Sequence, residues 1–452
     1  MSAVRVVVVG GGISGLTAAH ALLGRGHDVT LVDAAPEPGG LVATTREDGF
    51  LCEQGPQAVL DGGEDVRALI AAAGLEPRIV RALPASRRRS IYVGGKLRAF
   101  PASPPALVKT DLLGAAGKLR LLGEPFVRRG GDDDESVFDF VARRFGRQAA
   151  ARAAGPALIG IYAGDAAAIS LRAAFPRLAA LEQAHGSVLR GMFRARGGPR
   201  LGRPISFPDG LAELPRALGG ALGDRRRVAR AAALESRAGG WRVAFEAPAG
   251  SGGTLDAERV VLATPAAVTA ALLAPLAPDA AEALRGIPHA PVAVACLGFR
   301  GVEGDALGMD LDSYGFVVAR GEGLSLLGCQ FDSSVFPGRA PAGGVLLRAL
   351  VGGAFEPALV DADDATIAAQ AVGDLRRAAG LRRDPDLVRV FRARPGIPQA
   401  HRGHLARVRA VDEAIRRLPG LGVIGHALRG VGVSACVQAA TTLTTLSGDF
   451  ST

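Results

Sequence analysis

Near the start of the chain, four consecutive valines run into three glycines in "RVVVVGGGISGL", Arg5 to Leu16. Strands buried on both faces of a parallel sheet read as continuous β-branched runs, and Arg5 to Val9 has that form. Gly10, Gly12 and Gly15 then match G-x-G-x-x-G and lead into a helical segment from Ser14 to about Gly24. The first glycine permits a tight turn, the second lets the backbone approach a pyrophosphate, and the third lets helix and strand pack closely. A phosphate group would sit on the helix N-terminus, where free N–H groups and the macrodipole favour an anion. Such turns also occur as plain structure, so the following segment matters. The second strand, "HDVTLVD", ends at Asp33, eighteen residues past Gly15, where a carboxylate would accept ribose hydroxyls of an adenine dinucleotide.

At 452 residues the chain predicts two or three compact units sharing interleaved segments. Apolar residues make up 48% and charged residues 21%, which excludes a largely disordered chain. The net charge of +9 is carried by arginine, since Lys96, Lys109 and Lys118 are the only lysines. A positive field favours acidic partners such as carboxylated substrates or anionic lipid headgroups. Nucleic acid is not expected, because the basic residues are dispersed and no recognition motif accompanies them. Cys52, Cys296, Cys329 and Cys436 form no C-x-x-C pair, so they predict reduced, buried thiols rather than zinc ligands or disulfides. His401 and His404 have no cysteine or carboxylate at ligand spacing, and no metal is expected. A strand occupies the place of a signal peptide, and no apolar run approaches the roughly 18 to 20 residues that span a bilayer. A cytoplasmic protein with at most peripheral membrane contact is the expectation.

A second glycine pair, Gly39 and Gly40 in "PEPGGLVATT", resembles the extended fingerprint of the FAD-binding oxidases related to amine oxidases and phytoene desaturases. "FLCEQGPQAVL", with Glu53, Gly55 and Pro56, resembles the E-x-G segment of that superfamily. From there the chain resembles the protoporphyrinogen oxidases, flavoproteins of haem biosynthesis, along nearly its whole length. The resemblance rests on "YVGGKLRAFP" from Tyr92, "GIYAGD" from Gly160 followed by "ISLRAAFPRL", and "GCQFDSSVFPGRAP" from Gly328. It continues in "GIPQAHRGHLARV" from Gly396 and "GVIGHALRGVGVSACV" from Gly422.

What the resemblance implies is an α/β protein. A discontinuous Rossmann-like FAD-binding domain would comprise residues 1–80, 205–282 and 395–452. A mixed-sheet substrate-binding domain would comprise 81–104 and 283–394, and a helical, membrane-facing domain 105–204. FAD, held non-covalently, would contact Gly10, Gly11, Gly12, Ile13, Ser14, Gly15, Asp33, Ala34, Gly40 and Leu41. Further contacts would fall on Gly55, Pro56, Gln57, Ala58, Ala231, His426, Val431, Gly432 and Val433, with the last three lying against the isoalloxazine. Arg89 matches the arginine that pairs with a propionate of the tetrapyrrole, and a guanidinium suits a carboxylate because its forked donors reach both oxygens. Gly164 matches a residue whose backbone faces the substrate. No side chain is expected to act as a catalytic acid or base, since the flavin carries the chemistry. Three departures stand out: Ser434 and Ala435 replace Asn and Asp, His426 replaces Asn or a small residue, and Asp209 in "FPDG" replaces a glycine.

The implied activity is FAD-dependent oxidation of protoporphyrinogen IX to protoporphyrin IX, with O2 as acceptor giving H2O2. The implied partners are the tetrapyrrole, O2, a membrane surface and a second copy of the chain in a homodimer. Coproporphyrinogen III oxidation within the same family remains the alternative. A different flavin enzyme, or a non-catalytic flavin- or tetrapyrrole-binding protein, also stays open.

Overall fold

The computed structural model describes residues 3–101, 106, 109–130, 134–194, 202–248, 250–302 and 305–445. The expected boundary at residues 104–105 lies outside them. Strand β1 (Arg5–Val9), helix α1 (Ile13–Leu23) and strand β2 (Asp28–Asp33) follow one another as a βαβ unit. In β1, Val6 to Val9 are all buried, and their side chains alternate between the two faces of the sheet. Val6 and Val8 pack with Leu16, Ala18, Ala19 and Leu22 of α1, while Val7 and Val9 join Trp241, Leu262 and Leu273 on the other face. Full burial of each valine is worth roughly 1.5–3 kcal/mol as an upper bound, so a charged residue at Val8 would expel the strand.

Five parallel strands form this sheet, in the order Arg226–Val228, β2, β1, Arg259–Leu262 and Leu421–Val423. Both ends of the chain and its middle thus meet in one layer. The helix Val433–Thr445 follows the last strand and packs against α1. "WRVAFEA" forms a strand, Gly240–Glu246, but in a separate three-stranded antiparallel sheet rather than beside β1. Its alternating burial, with Trp241 and Val243 inward, suits a sheet with one solvated face.

A seven-stranded mixed sheet has the order Leu387–Pro398, His289–Phe299, Val345–Gly352, Leu326–Gln330, Gly315–Val318, Ser90–Tyr92 and Leu97–Ala99. All neighbours are antiparallel except Gly315–Val318 with Ser90–Tyr92, which pair in parallel and so join the "SIYVGG" hairpin to a strand more than 200 residues later. Helix Asp364–Ala379 covers one face, capped by the Asp363 carboxylate, which accepts from Thr366 N–H at 2.7 Å. On the other face lies the hairpin of β3 (Thr44–Glu47) and β4 (Phe50–Glu53). Phe50 packs so closely over Gly298 that a Cβ there would lie 2.9 Å from the ring.

Between these sheets in sequence lie short helices, among them Ala115–Leu122, Val137–Phe145, Gly155–Tyr162, Pro176–His185 and Val188–Arg194. "SVFDFVARRFGRQAAARAA" breaks at Gly146, where φ of +96° ends the first helix, and continues through a π-helical turn at Ala150–Ala154. Arg144 and Glu124 are completely buried and paired at 3.0 Å, joining the first of these helices to the segment before it.

Candidate active site

The glycine motifs converge. Gly10 has φ of +107°, and a Cβ there would meet Ala263 O at 2.7 Å. A Cβ on Gly15 would lie 1.9 Å from Gly10 O, so helix and strand touch backbone to backbone. On Gly11 it would strike the Asp33 carboxylate at 2.2 Å. Gly12 differs: its φ of −70° suits any residue, and nothing lies within 4 Å of a Cβ built there. It therefore opens on free space in front of α1, whose N-terminus has no side-chain cap and no acidic residue in its first turn. The uncapped N–H groups around Ile13, Ser14 and Gly15 are a ready anion site.

The second glycine pair folds onto the first. Gly39 N–H donates to Gly11 O at 2.8 Å, and a Cβ built on Gly40 would lie 3.4 Å from the Cα of Gly12. Next along, a Cβ on Gly55 would meet Leu41 O at 2.2 Å, which sets the segment Gly55–Ala58 beside Leu41. At the end of β2, Ala229 N–H donates to Asp33 O at 2.8 Å, bringing Ala231 to the tip of that strand. Arg226 donates to Ala35 O and Pro36 O, fixing the loop after Ala34. Ala34, Gly40, Leu41 and Gly432 stay exposed, and Leu41 is 45% so despite lying between packed glycines. Small or apolar residues left open in this way, together with the uncapped N–H groups that begin α1, suit a dinucleotide cofactor with an apolar ring system.

Arg89 lies just before the strand Ser90–Tyr92, with its guanidinium over the ring of Tyr314 at 4.7 Å. The Tyr314 hydroxyl accepts from Gln57 Nε2 at 2.9 Å, so the structure brings Arg89 and Gln57 together through a residue no motif had marked. Gln57 Nε2 also donates to Gln330 Oε1 at 2.7 Å. Gln330 Oε1 in turn accepts from buried Arg348, which also donates to the carbonyls of Glu53 and Gly55. Arg348 Nε lies 3.2 Å from the carboxylate of buried Asp332. Burial pushes the Asp332 carboxyl above its ordinary range, and the Arg348 guanidinium pulls partly against it. Glu53 of the E-x-G segment is likewise buried and raised by desolvation; it accepts from Thr44 Oγ1 at 2.6 Å and Leu211 N–H at 2.8 Å. Its carboxylate is a strut between loops.

Gly164 is buried at the end of the helix Gly155–Tyr162, and a Cβ there would meet Gln399 Oε1 at 2.1 Å and Ile169 Cδ1 at 2.9 Å. The glycine is required by Gln399, whose Nε2 donates to Tyr162 O and Ile397 O. Both histidines of "PQAHRGH" are accounted for near this point: His404 Nε2 lies 3.1 Å from Leu428 O, and His401 bridges in backbone register to Ile169. Among the described residues no cluster of His, Cys, Asp and Glu could hold a metal ion. A small cleft here is lined by Tyr162, Pro398, Ala400, His426 and Val431.

His426 packs edge-to-face on His289 at 6.4 Å between centroids. Burial first, and the His289 imidazole second, push its pKa down to about 4, and burial lowers His289 as well. The unfolded imidazole, ordinarily near 6.5, takes up a proton that the folded one refuses. The stability held by this group is complete above about pH 6.5 and is lost as pH falls towards 4, on the order of 3 kcal/mol in all. His426→Asn is therefore expected to flatten the acid limb of denaturation midpoint against pH between these values. A limb as steep as that of the parent protein would place the acid sensitivity elsewhere.

Sequence reasoning missed Tyr314, Arg348 and His289, which no motif singles out, and assigned no role to Gln330 and Gln399 although both lie within quoted segments. Residues 13–423 match the family model for the flavin containing amine oxidoreductases. The chloroplastic protoporphyrinogen oxidase of Oryza sativa subsp. japonica is 33% identical over 464 residues, covering 96% of this chain and 86% of the relative. The coproporphyrinogen III oxidase of Bacillus subtilis (strain 168) is 29% identical, covering 96% and 95%. A crystal structure from Exiguobacterium sp. 255-15, assigned as a protoporphyrinogen oxidase, superimposes with a TM-score of 0.83 at 28% identity over 98% of both chains. Fold, glycine geometry and near full-length similarity agree on a FAD-dependent oxidoreductase, and the chain belongs to the flavin containing amine oxidoreductase family.

Proposed function

We propose that the protein oxidises protoporphyrinogen IX to protoporphyrin IX, using O2 and releasing H2O2. The observation that carries this substrate class is Arg89, a forked cation standing on Tyr314 and tied through Gln57 to the segment that would hold the flavin. FAD would be held by the N–H groups at the start of α1 and by Asp33, Gly40, Leu41, Gly55–Ala58 and Val431–Val433. Bound there, the flavin supplies a two-electron acceptor, and three rounds account for the six electrons and six hydrogens that the macrocycle loses. Arg89 takes a propionate and orients the tetrapyrrole. Gly164 leaves room for Gln399 to seat, which closes the wall beside Tyr162. His426 and His289, kept neutral by burial, add polar edges to the cleft without charge.

The test is aerobic mixing with protoporphyrinogen IX and, separately, coproporphyrinogen III, following porphyrin fluorescence and peroxide. Faster turnover of the first supports the assignment. Faster turnover of the second moves the protein to the alternative that the Bacillus subtilis relative's name suggests, and turnover of neither refutes both.

Among the described residues no helix is long and apolar enough to cross a membrane. Peripheral docking is supported by an exposed apolar patch on neighbouring helical segments: Leu119, Leu122, Phe126 at 83%, Met192 and Phe193 at 71%. Arg190 lies over Phe126, and Lys118 and Arg194 adjoin Leu119 and Phe193 in the sequence. Exposed apolar side chains interleaved with cations suit an anionic bilayer surface. The protein should float with phosphatidylglycerol vesicles, and Phe126→Glu with Phe193→Glu should weaken that by about tenfold or more. Equal flotation of the variant would remove this patch from the membrane.

A further inference from the structure

We propose that Tyr314 is the positioning residue that aims Arg89 at a substrate carboxylate, an inference resting on the assignment of Arg89 as the propionate partner. Its neighbour Arg88 makes an ion pair with Asp312, whereas among the described residues no carboxylate pairs with Arg89. What holds Arg89 is the face of an aromatic ring. The difference is chemical. A salt bridge would occupy the N–H edge of the guanidinium, the edge that a propionate needs. Stacking on a ring uses only the planar face and leaves the forked donors free.

The platform is fixed at both ends. Its backbone is pinned by Tyr314 N–H donating to Arg88 O at 2.8 Å and by Phe331 N–H donating to Tyr314 O at 3.0 Å. Parallel pairing of Phe316 with Ser90 keeps the two residues in register. The ring's far end is held by Gln57 Nε2. The orientation of that amide is decided by its other contact, because Gln330 Oε1 already accepts from Arg348 and must accept from Gln57 too. A free arginine loses much rotamer entropy when it binds; one already resting on a fixed ring loses less. Tyr314 thus links the carboxylate-binding arm to the Gly55–Ala58 segment, so that substrate is placed relative to the flavin rather than to a loose side chain.

The experiment is equilibrium titration of the flavin-loaded protein with protoporphyrin IX and with its dimethyl ester, read by porphyrin fluorescence. The parent protein should prefer the free acid, and Arg89→Ala should abolish the preference. Tyr314→Leu should lower affinity for the acid by about three- to tenfold while leaving ester affinity and flavin content unchanged. Tyr314→Phe, which keeps the ring but gives up the hydrogen bond from Gln57, should lose clearly less than Tyr314→Leu. Where the leucine variant does not fold, Tyr314→Gln replaces it, since it keeps a polar head for Gln57 without a ring. A non-aromatic variant with the parental acid-to-ester ratio overturns the proposal, as does Tyr314→Phe falling as far as Tyr314→Leu. If Arg89→Ala itself keeps the parental preference, the assignment of Arg89 fails and this proposal with it; loss at Arg89 with no loss at Tyr314 defeats Tyr314 alone.

Discussion

Gly12→Val is expected to give a folded protein that purifies without flavin. A Cβ at this position meets no atom within 4 Å beyond its chain neighbours, and φ of −70° with ψ of 173° is ordinary extended backbone for valine. The branch would instead project into the space in front of α1, where the pyrophosphate should lie against the helix N-terminus. Flavin occupancy should fall by about tenfold or more, with the thermal transition of the flavin-free protein retained. Gly15→Val provides the contrast. Its Cβ would stand 1.9 Å from Gly10 O, so helix and strand must separate and the protein should fail to fold. Visible flavin absorbance relative to protein absorbance, together with a circular-dichroism melt, reads both. A yellow Gly12→Val protein would put the cofactor somewhere other than this turn.

Arg348→Leu should destabilise the protein by about 3–5 kcal/mol, because it leaves buried Asp332 without its cation. The carbonyls of Glu53 and Gly55 would lose the donors of Arg348 in the same step, and Gln330 Oε1 would keep only Gln57, so flavin retention should also decline. Adding Asp332→Leu should recover part of the stability, since a buried pair replaced by apolar groups removes the desolvation penalty on both sides. It should not recover flavin retention, which depends on the carbonyl contacts. Chemical denaturation of the single and double variants measures the first effect and equilibrium FAD binding the second. A loss below about 1 kcal/mol for Arg348→Leu would show that water reaches Asp332.

The nucleotide-binding half was legible because its requirements are local. A β-branched run, a turn that only glycine can make, and an acidic residue at the next strand end each follow from backbone sterics and the reach of a few residues. The second glycine pair could be marked from the sequence, but its bond to Gly11 could not. Helix limits were read to within a residue at α1.

The polar network escaped for the opposite reason. Tyr314, Gln330, Arg348 and Asp332 come from strands and loops between residues 314 and 348, and they meet Gln57 and Arg89 only once the parallel pairing at Ser90 brings distant chain together. Gly164 illustrates the same division. The resemblance marks it as facing substrate, but the atom that bars a side chain there belongs to Gln399, 235 residues away. The sequence by itself determined the parallel α/β core, the glycine turn before α1 and the kinship, because these depend on spacings within a few turns of chain. Tertiary structure alone decided which buried charges pair, which ring supports Arg89 and which glycines face protein rather than open space, because those outcomes depend on contacts whose partners are set only by long-range packing.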